Sequence, residues 1–132
     1  MAKKKILIVD DDEDVAHGLR ILLRANNYTT VLARDAVAAI SQAKNENPDL
    51  IILDLGLPAG DGYVVMERLS NIESLASIPV IVFTARDEES NKERSLEAGA
   101  SAFFQKPVDN AVLLLAIQQN LYGPSQIRVA AI

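Results

Sequence analysis

Ile6-Leu7-Ile8-Val9-Asp10-Asp11-Asp12 is the stretch that decides the fold. Four consecutive apolar residues, three of them β-branched, mark a short strand buried on both faces. The run stops at a group of acids, and Asp12, Glu13 and Asp14 sit where negative charge favours a helix N-terminus. Behind them Val15, Ala16, Leu19, Leu22 and Leu23 recur on one helical face, and Asn26-Asn27 closes the helix.

The same unit repeats along the chain. Thr29 to Ala33 reads as a second strand, and Asp35 to about Asn45 as a second helix with Ala36, Val37, Ala39, Ile40 and Ala43 inward. Pro48 precedes a third strand, Leu50 to Leu53. A loop rich in breakers follows, with Gly56, Pro58, Gly60 and Gly62, then a helix from about Tyr63 to Ser70. Pro79 introduces a fourth strand, Val80 to Phe83, and Asp87-Glu88-Glu89 opens a polar helix that stops at Gly99. Ala102 to Phe104 is the fifth strand. A last helix runs from about Asp109 to Leu121 and ends at Gly123-Pro124. Strict alternation of strand and helix predicts an α/β fold: one doubly wound, five-stranded parallel sheet with helices on both faces.

Composition narrows the chemistry. At 132 residues the chain predicts one domain, residues 1–122, followed by a short tail or linker start over 123–132. The apolar end, Ile127 to Ile132, suggests a cut or the start of something further. The absence of Cys excludes disulfides, thiolate metal sites and Cys nucleophiles. His17 is the only His, which argues against a His-ligated metal and a Ser-His-Asp triad. A net charge of −5 argues against direct nucleic-acid binding. No apolar run approaches the ~20 residues of a membrane span. The stretch behind Lys3-Lys4-Lys5 is too short for a signal peptide. A soluble, cytoplasmic protein without membrane contact is the expectation.

The functional signal is what ends each strand. The first runs into Asp10-Asp11-Asp12, the third into Asp54, the fourth into Thr84 and the fifth into Lys106. In a parallel sheet all strand carboxyl ends share one edge, where ligands bind. Singly, each residue has an ordinary explanation as a helix cap, a turn residue or a solvated strand end. Together they bring three kinds of reactive group to one rim. Clustered carboxylates repel, and a hard divalent cation such as magnesium relieves that repulsion. Cation, ammonium and hydroxyl donor are what phosphoryl transfer requires, and a carboxylate can itself be the nucleophile.

These stretches resemble the receiver domain of two-component response regulators, the CheY-like family, over about residues 4–121. The matching segments are Ile6 to Asp12, Asp54-Leu55-Gly56-Leu57-Pro58 with Asp61-Gly62, Val82-Phe83-Thr84-Ala85, and Gly99-Ala100 with Phe103 and Lys106-Pro107. The resemblance implies a flavodoxin-like strand order 2-1-3-4-5. It implies a phosphoacceptor, Asp54, that takes its phosphoryl group from a histidine kinase or histidine phosphotransfer protein. The domain would catalyse its own phosphorylation and dephosphorylation without being an enzyme in its own right. Asp11 would bind Mg²⁺ (or Mn²⁺) directly and Asp10 partly through water, with Asp54 and the Gly56 carbonyl as further ligands. Thr84, with Ala85 beside it, and Lys106 would bind the phosphoryl group. Phe103 would be the aromatic that turns inward, and the Lys106–Pro107 bond would be cis. The output surface, for an effector or a second copy, would be the fourth helix, fifth strand and fifth helix.

Some positions depart from the commonest pattern. Phe103 stands where Tyr is frequent, and Asp12 adds an acid best read as a helix cap. The resemblance makes Gly56 and Arg86, two residues after Asp54 and Thr84, positions that influence hydrolysis of the phosphoryl group: Gly56 would leave the site open and Arg86 would screen it. Ala111 to Ile117 is apolar throughout, so either Leu113, Leu114 or Ile117 faces outward as a partner or dimer surface, or the helix is deeply tucked or covered by the tail. Two other readings compete. Asp10-Asp11-Asp12 resembles the start of haloacid-dehalogenase-like phosphatases, with Asp10 as nucleophile and Asp12 as general acid. That reading needs an acidic pair after Lys106, where only Asp109 follows. The other is a receiver that docks without being phosphorylated.

Overall fold

A computed structural model describes residues 2–123. It contains β1 (Lys5–Val9), α1 (Glu13–Ala25), β2 (Thr29–Ala33), α2 (Ala36–Glu46), β3 (Leu50–Leu53), α3 (Gly62–Ser70), β4 (Val80–Thr84), α4 (Glu88–Glu97), β5 (Ala102–Gln105) and α5 (Asn110–Tyr122). The strands form one parallel sheet in the order β2-β1-β3-β4-β5. The tail over 124–132 lies outside the described residues.

Each helix is launched the same way. Asp12, Asp35, Asp61, Asp87 and Asp109 are the N-caps of α1 to α5, and each side chain accepts backbone N–H groups of the first turn. Such a cap satisfies donors that have no partner within the helix. The reading of Asp12 as a cap holds: its Oδ1 accepts from Asp14 N at 3.0 Å and Val15 N at 3.2 Å.

The central strands are buried on both sides because alternate residues feed two cores. Ile6, Ile8, Leu50, Ile52, Ile81 and Phe83 pack against Ala16, Leu19 and Leu23 of α1 and Leu113, Ala116 and Ile117 of α5. Leu7, Val9, Ile51, Leu53 and Val82 pack against Ala36, Ala39 and Ala43 of α2 and Val65, Met66 and Leu69 of α3. Leu75, in the turns that join α3 to β4, closes this second core.

Two expectations about helix faces are corrected. Val37 does not face inward; it is 59% exposed, because Ala36, Ala39 and Ala43 hold the inner stripe and Val37 is rotated about 100° from Ala36. On α5, Leu113 and Ile117 are buried and Leu114 is half-buried, so the outward residues are Val112 and Leu115. An unbroken apolar run carries no phase. The sheet chose the stripe 113, 116, 117, which left 112 and 115 on the opposite side.

Candidate functional site

Strand register assembles the site. β1 and β3 are neighbours with Val9 opposite Leu53, so the residues that follow, Asp10 and Asp54, emerge side by side. Asp54 N–H donates to Val9 O at 2.9 Å and fixes that alignment. On the other side β4 and β5 pair with Thr84 opposite Gln105, and Lys106 N–H donates to Thr84 O at 2.7 Å. The four strand ends named by the sequence therefore meet at the carboxyl edge of the sheet.

Asp10 and Asp54 are buried, at 3% and 8% exposure, while Asp11 faces solvent. Lys106 Nζ reaches between the buried pair, 2.7 Å from Asp10 Oδ2 and 3.5 Å from Asp54 Oδ2. It also lies 5.5 Å from the centre of the Phe83 ring. The second oxygen of each acid is held by backbone: Asp12 N–H donates to Asp10 Oδ1 at 2.9 Å, and Gly56 N–H to Asp54 Oδ1 at 3.2 Å. Burial pushes the Asp10 carboxyl above the usual carboxylate range, against the opposing pull of the Lys106 ammonium.

One carboxylate oxygen from each of Asp10, Asp11 and Asp54 lies within 4.8 Å of the others. The donors are all hard oxygens, with no imidazole or thiolate among them, and that set suits Mg²⁺ or Mn²⁺ rather than a softer metal. A cation there would also offset the repulsion between Asp10 and Asp54.

Thr84 is fully buried and its Oγ1 accepts from Arg86 N–H at 3.3 Å, which leaves its own proton free to donate. Ala85, beside it, is exposed, as is Gly56. Phe103 is buried and packs inward in the core on the α2–α3 side. The Lys106–Pro107 peptide bond is cis.

Three relationships had no local signal in the sequence. Arg86 lies 3.9 Å from Asp61 Oδ2, so its guanidinium ties the loop after β4 to the cap of α3. Gly62 packs so tightly that a Cβ there would sit 2.7 Å from Asp54 O and 2.8 Å from Leu55 Cα. Tyr63 joins α3 to α4 through its hydroxyl and ring. The Asp61-Gly62 motif and the place of Arg86 after β4 are legible in the sequence, but these partners are not.

The family model of the response regulator receiver domain matches residues 6–118. The chain belongs to the response regulator receiver domain family. The receiver domain is 35% identical over 114 residues to the response regulator PleD of Caulobacter vibrioides, covering 86% of this chain and 25% of that protein. It spans less than half the length of the curated relatives it matches. Among solved structures it resembles the signal receiver domain of a signal transduction histidine kinase from Syntrophus aciditrophicus, with TM-score 0.83, 32% identity and 98% of both chains covered. It also resembles the receiver domain of a sensor histidine kinase from Pseudomonas aeruginosa, with TM-score 0.81, 28% identity, and 91% and 98% covered. That structure holds a magnesium ion in its active-site cleft.

Membership of this family weighs against the phosphatase reading, and so does Asp12. Its Oδ1 is engaged as the helix cap, accepting from Asp14 N–H and Val15 N–H in the first turn of α1. Among the described residues no helix is long and apolar enough to cross a membrane.

Proposed function

We propose that this receiver domain accepts a phosphoryl group on Asp54 from the phosphohistidine of a histidine kinase or histidine phosphotransfer protein. The observation that carries the reading is the convergence of Lys106 Nζ on Asp10 and Asp54, with Thr84 on the neighbouring strand. An Asp54 oxygen attacks phosphorus, the P–N bond to the donor imidazole breaks, and the electron pair leaves with that nitrogen, which is then protonated. Gly56 N–H holds Asp54 Oδ1 and so orients the nucleophile. Lys106 supplies positive charge to the transferring oxygens, while the Thr84 hydroxyl, with the Ala85 backbone beside it, donates to one of them.

Asp10, Asp11, Asp54 and the Gly56 carbonyl are the residues that would hold Mg²⁺, or Mn²⁺ in its stead. When bound, the cation supplies charge neutralisation for the phosphoryl oxygens. The same constellation supports hydrolysis of the aspartyl phosphate by water, so the domain would promote both its phosphorylation and its dephosphorylation. Phosphorylation would shift the α4-β5-α5 surface, with Thr84 and Phe103 as the moving residues, toward an effector or a second copy. A cytoplasmic setting and a receiver domain ending near residue 122 belong to the same reading.

The test is intact mass after incubation with Mg²⁺ and acetyl phosphate. Wild type gains one phosphoryl group and Asp54→Asn gains none. An adduct that survives in Asp54→Asn and vanishes in Asp10→Asn would instead support the phosphatase chemistry.

A further inference from the structure

Helix α4 is attached to the fold in an unusual way. A helix on a sheet is normally held by an apolar stripe, yet the buried residues of α4 are Asn91 and Ser95. Leu96, its one large apolar residue, is 42% exposed. What holds α4 is polar. Tyr63 Oη donates to Asn91 Oδ1 at 2.8 Å and lies 3.5 Å from Ser95 Oγ. Arg94 stacks its guanidinium 3.8 Å from the centre of the Tyr63 ring. Asn91 Nδ2 donates to Asp87 O at 3.0 Å, which turns its Oδ1 toward Tyr63. At the far side Glu88 N–H donates to Gln105 Oε1 at 2.9 Å.

The same turn of α3 reaches back toward the site, where Asp61 faces Arg86 at 3.9 Å. Arg86 N–H in turn engages Thr84 Oγ1. The first turn of α3 thus grips the segment after β4 at its start, its middle and its end.

We infer that Tyr63 is a positioning residue, whose hydroxyl and ring latch α4 to α3 and thereby fix the loop that engages Thr84. The inference rests on the phosphoacceptor reading of Asp54. A turn of Thr84 Oγ1 away from the Arg86 N–H would break that hydrogen bond and let the loop at the head of α4 move. The latch resists that displacement. Directional polar contacts suit such a role because they have discrete made and broken states, whereas an apolar stripe slides and repacks.

The experiment compares wild type with Tyr63→Phe, which keeps the ring and deletes the hydroxyl, and with Arg94→Gln, which keeps the hydroxyl bond and removes the stacked charge. Amide hydrogen exchange is read in α4, with α1 and β1 as internal controls. Phosphorylation by acetyl phosphate is timed on the same samples. Loss of one hydrogen bond gives a factor of about two to ten. In Tyr63→Phe, α4 exchange and phosphorylation both accelerate by about that factor while α1 and β1 do not change. Arg94→Gln shifts both in the same direction. Unchanged α4 exchange, or acceleration spread equally over all elements, overturns the latch. Faster α4 exchange without a faster reaction overturns the positioning role. Exchange needs no phosphoryl group, so a wild type that takes no adduct counts against the phosphoacceptor reading alone and leaves exchange to decide the latch.

Discussion

The Lys106 ammonium sits 2.7 Å from Asp10 and 3.5 Å from Asp54, so one cation from the end of β5 serves acids from β1 and β3. Its side chain is only 15% exposed, and Asp10 is almost fully buried. This is a buried charge cluster, in which loss of one partner strands the others.

Lys106→Ala is therefore expected to destabilise the protein by about 1–3 kcal/mol, as an unpaired buried carboxylate is left behind. Saturating Mg²⁺ should restore part of that loss, since ligand bound only to the folded state stabilises it. Chemical denaturation of wild type and variant, with and without the cation, checks both statements. Because the Asp10 carboxyl is held above its ordinary range by burial, proton and cation compete for it. The stabilisation by Mg²⁺ should weaken as pH falls toward that range.

Gly62 is needed for its size. Its φ is not in the left-handed region, yet a Cβ would overlap Asp54 O and Leu55 Cα at 2.7 and 2.8 Å. Both obstacles are backbone, so relief requires moving the end of β3. Gly62→Ala should cost about 1–3 kcal/mol, measured by urea denaturation, and slow phosphorylation, because the shift carries Asp54 with it.

The two apolar faces of α5 should separate cleanly by mutation. Leu113 is 1% exposed and Leu115 45%. Leu113→Ala should lose about 2–5 kcal/mol, whereas Leu115→Ala should stay within about 0.5 kcal/mol. Equal effects in thermal unfolding would mean that the helix is rotated from the position described.

Asp87 caps α4, and the hydrogen bonds from Ser90 hold its carboxyl below the usual range. A depressed carboxylate contributes stability that is present above the unfolded-state value near 3.8 and is lost as pH falls through the lower folded value. The group is fully exposed, so the effect is local. Amide protection in the first turn of α4, corrected for the intrinsic pH dependence of exchange, should fall on acidification through that window, and Asp87→Asn, which keeps an acceptor, should flatten that dependence.

Strand and helix identity was legible because period and punctuation are local. Ile6 to Val9, Leu50 to Leu53 and Val80 to Phe83 are too short and too β-branched for helices, and each of the five helices follows an Asp. Where local pattern was silent, reading went astray. The apolar run of α5 has no phase of its own, and hydrophobicity alone placed Val37 beside Ala36 inward, whereas the buried stripe of α2 is Ala36, Ala39 and Ala43 with Ile40 partly buried beside it.

By itself the sequence determined the alternation of elements, and with it the shared edge at which Asp10, Asp54, Thr84 and Lys106 must lie. A parallel sheet sends every strand end the same way, so that inference needs no distances. Only the tertiary structure decided who touches whom. Strand order and register made Lys106 a partner of Asp10 across 96 residues of chain. The crossing of α3 and α4 paired Tyr63 with Asn91 and Arg94, and Asp61 with Arg86. Such contacts depend on how far elements approach and rotate, and packing sets both globally, with no trace in the spacing of residues along one segment.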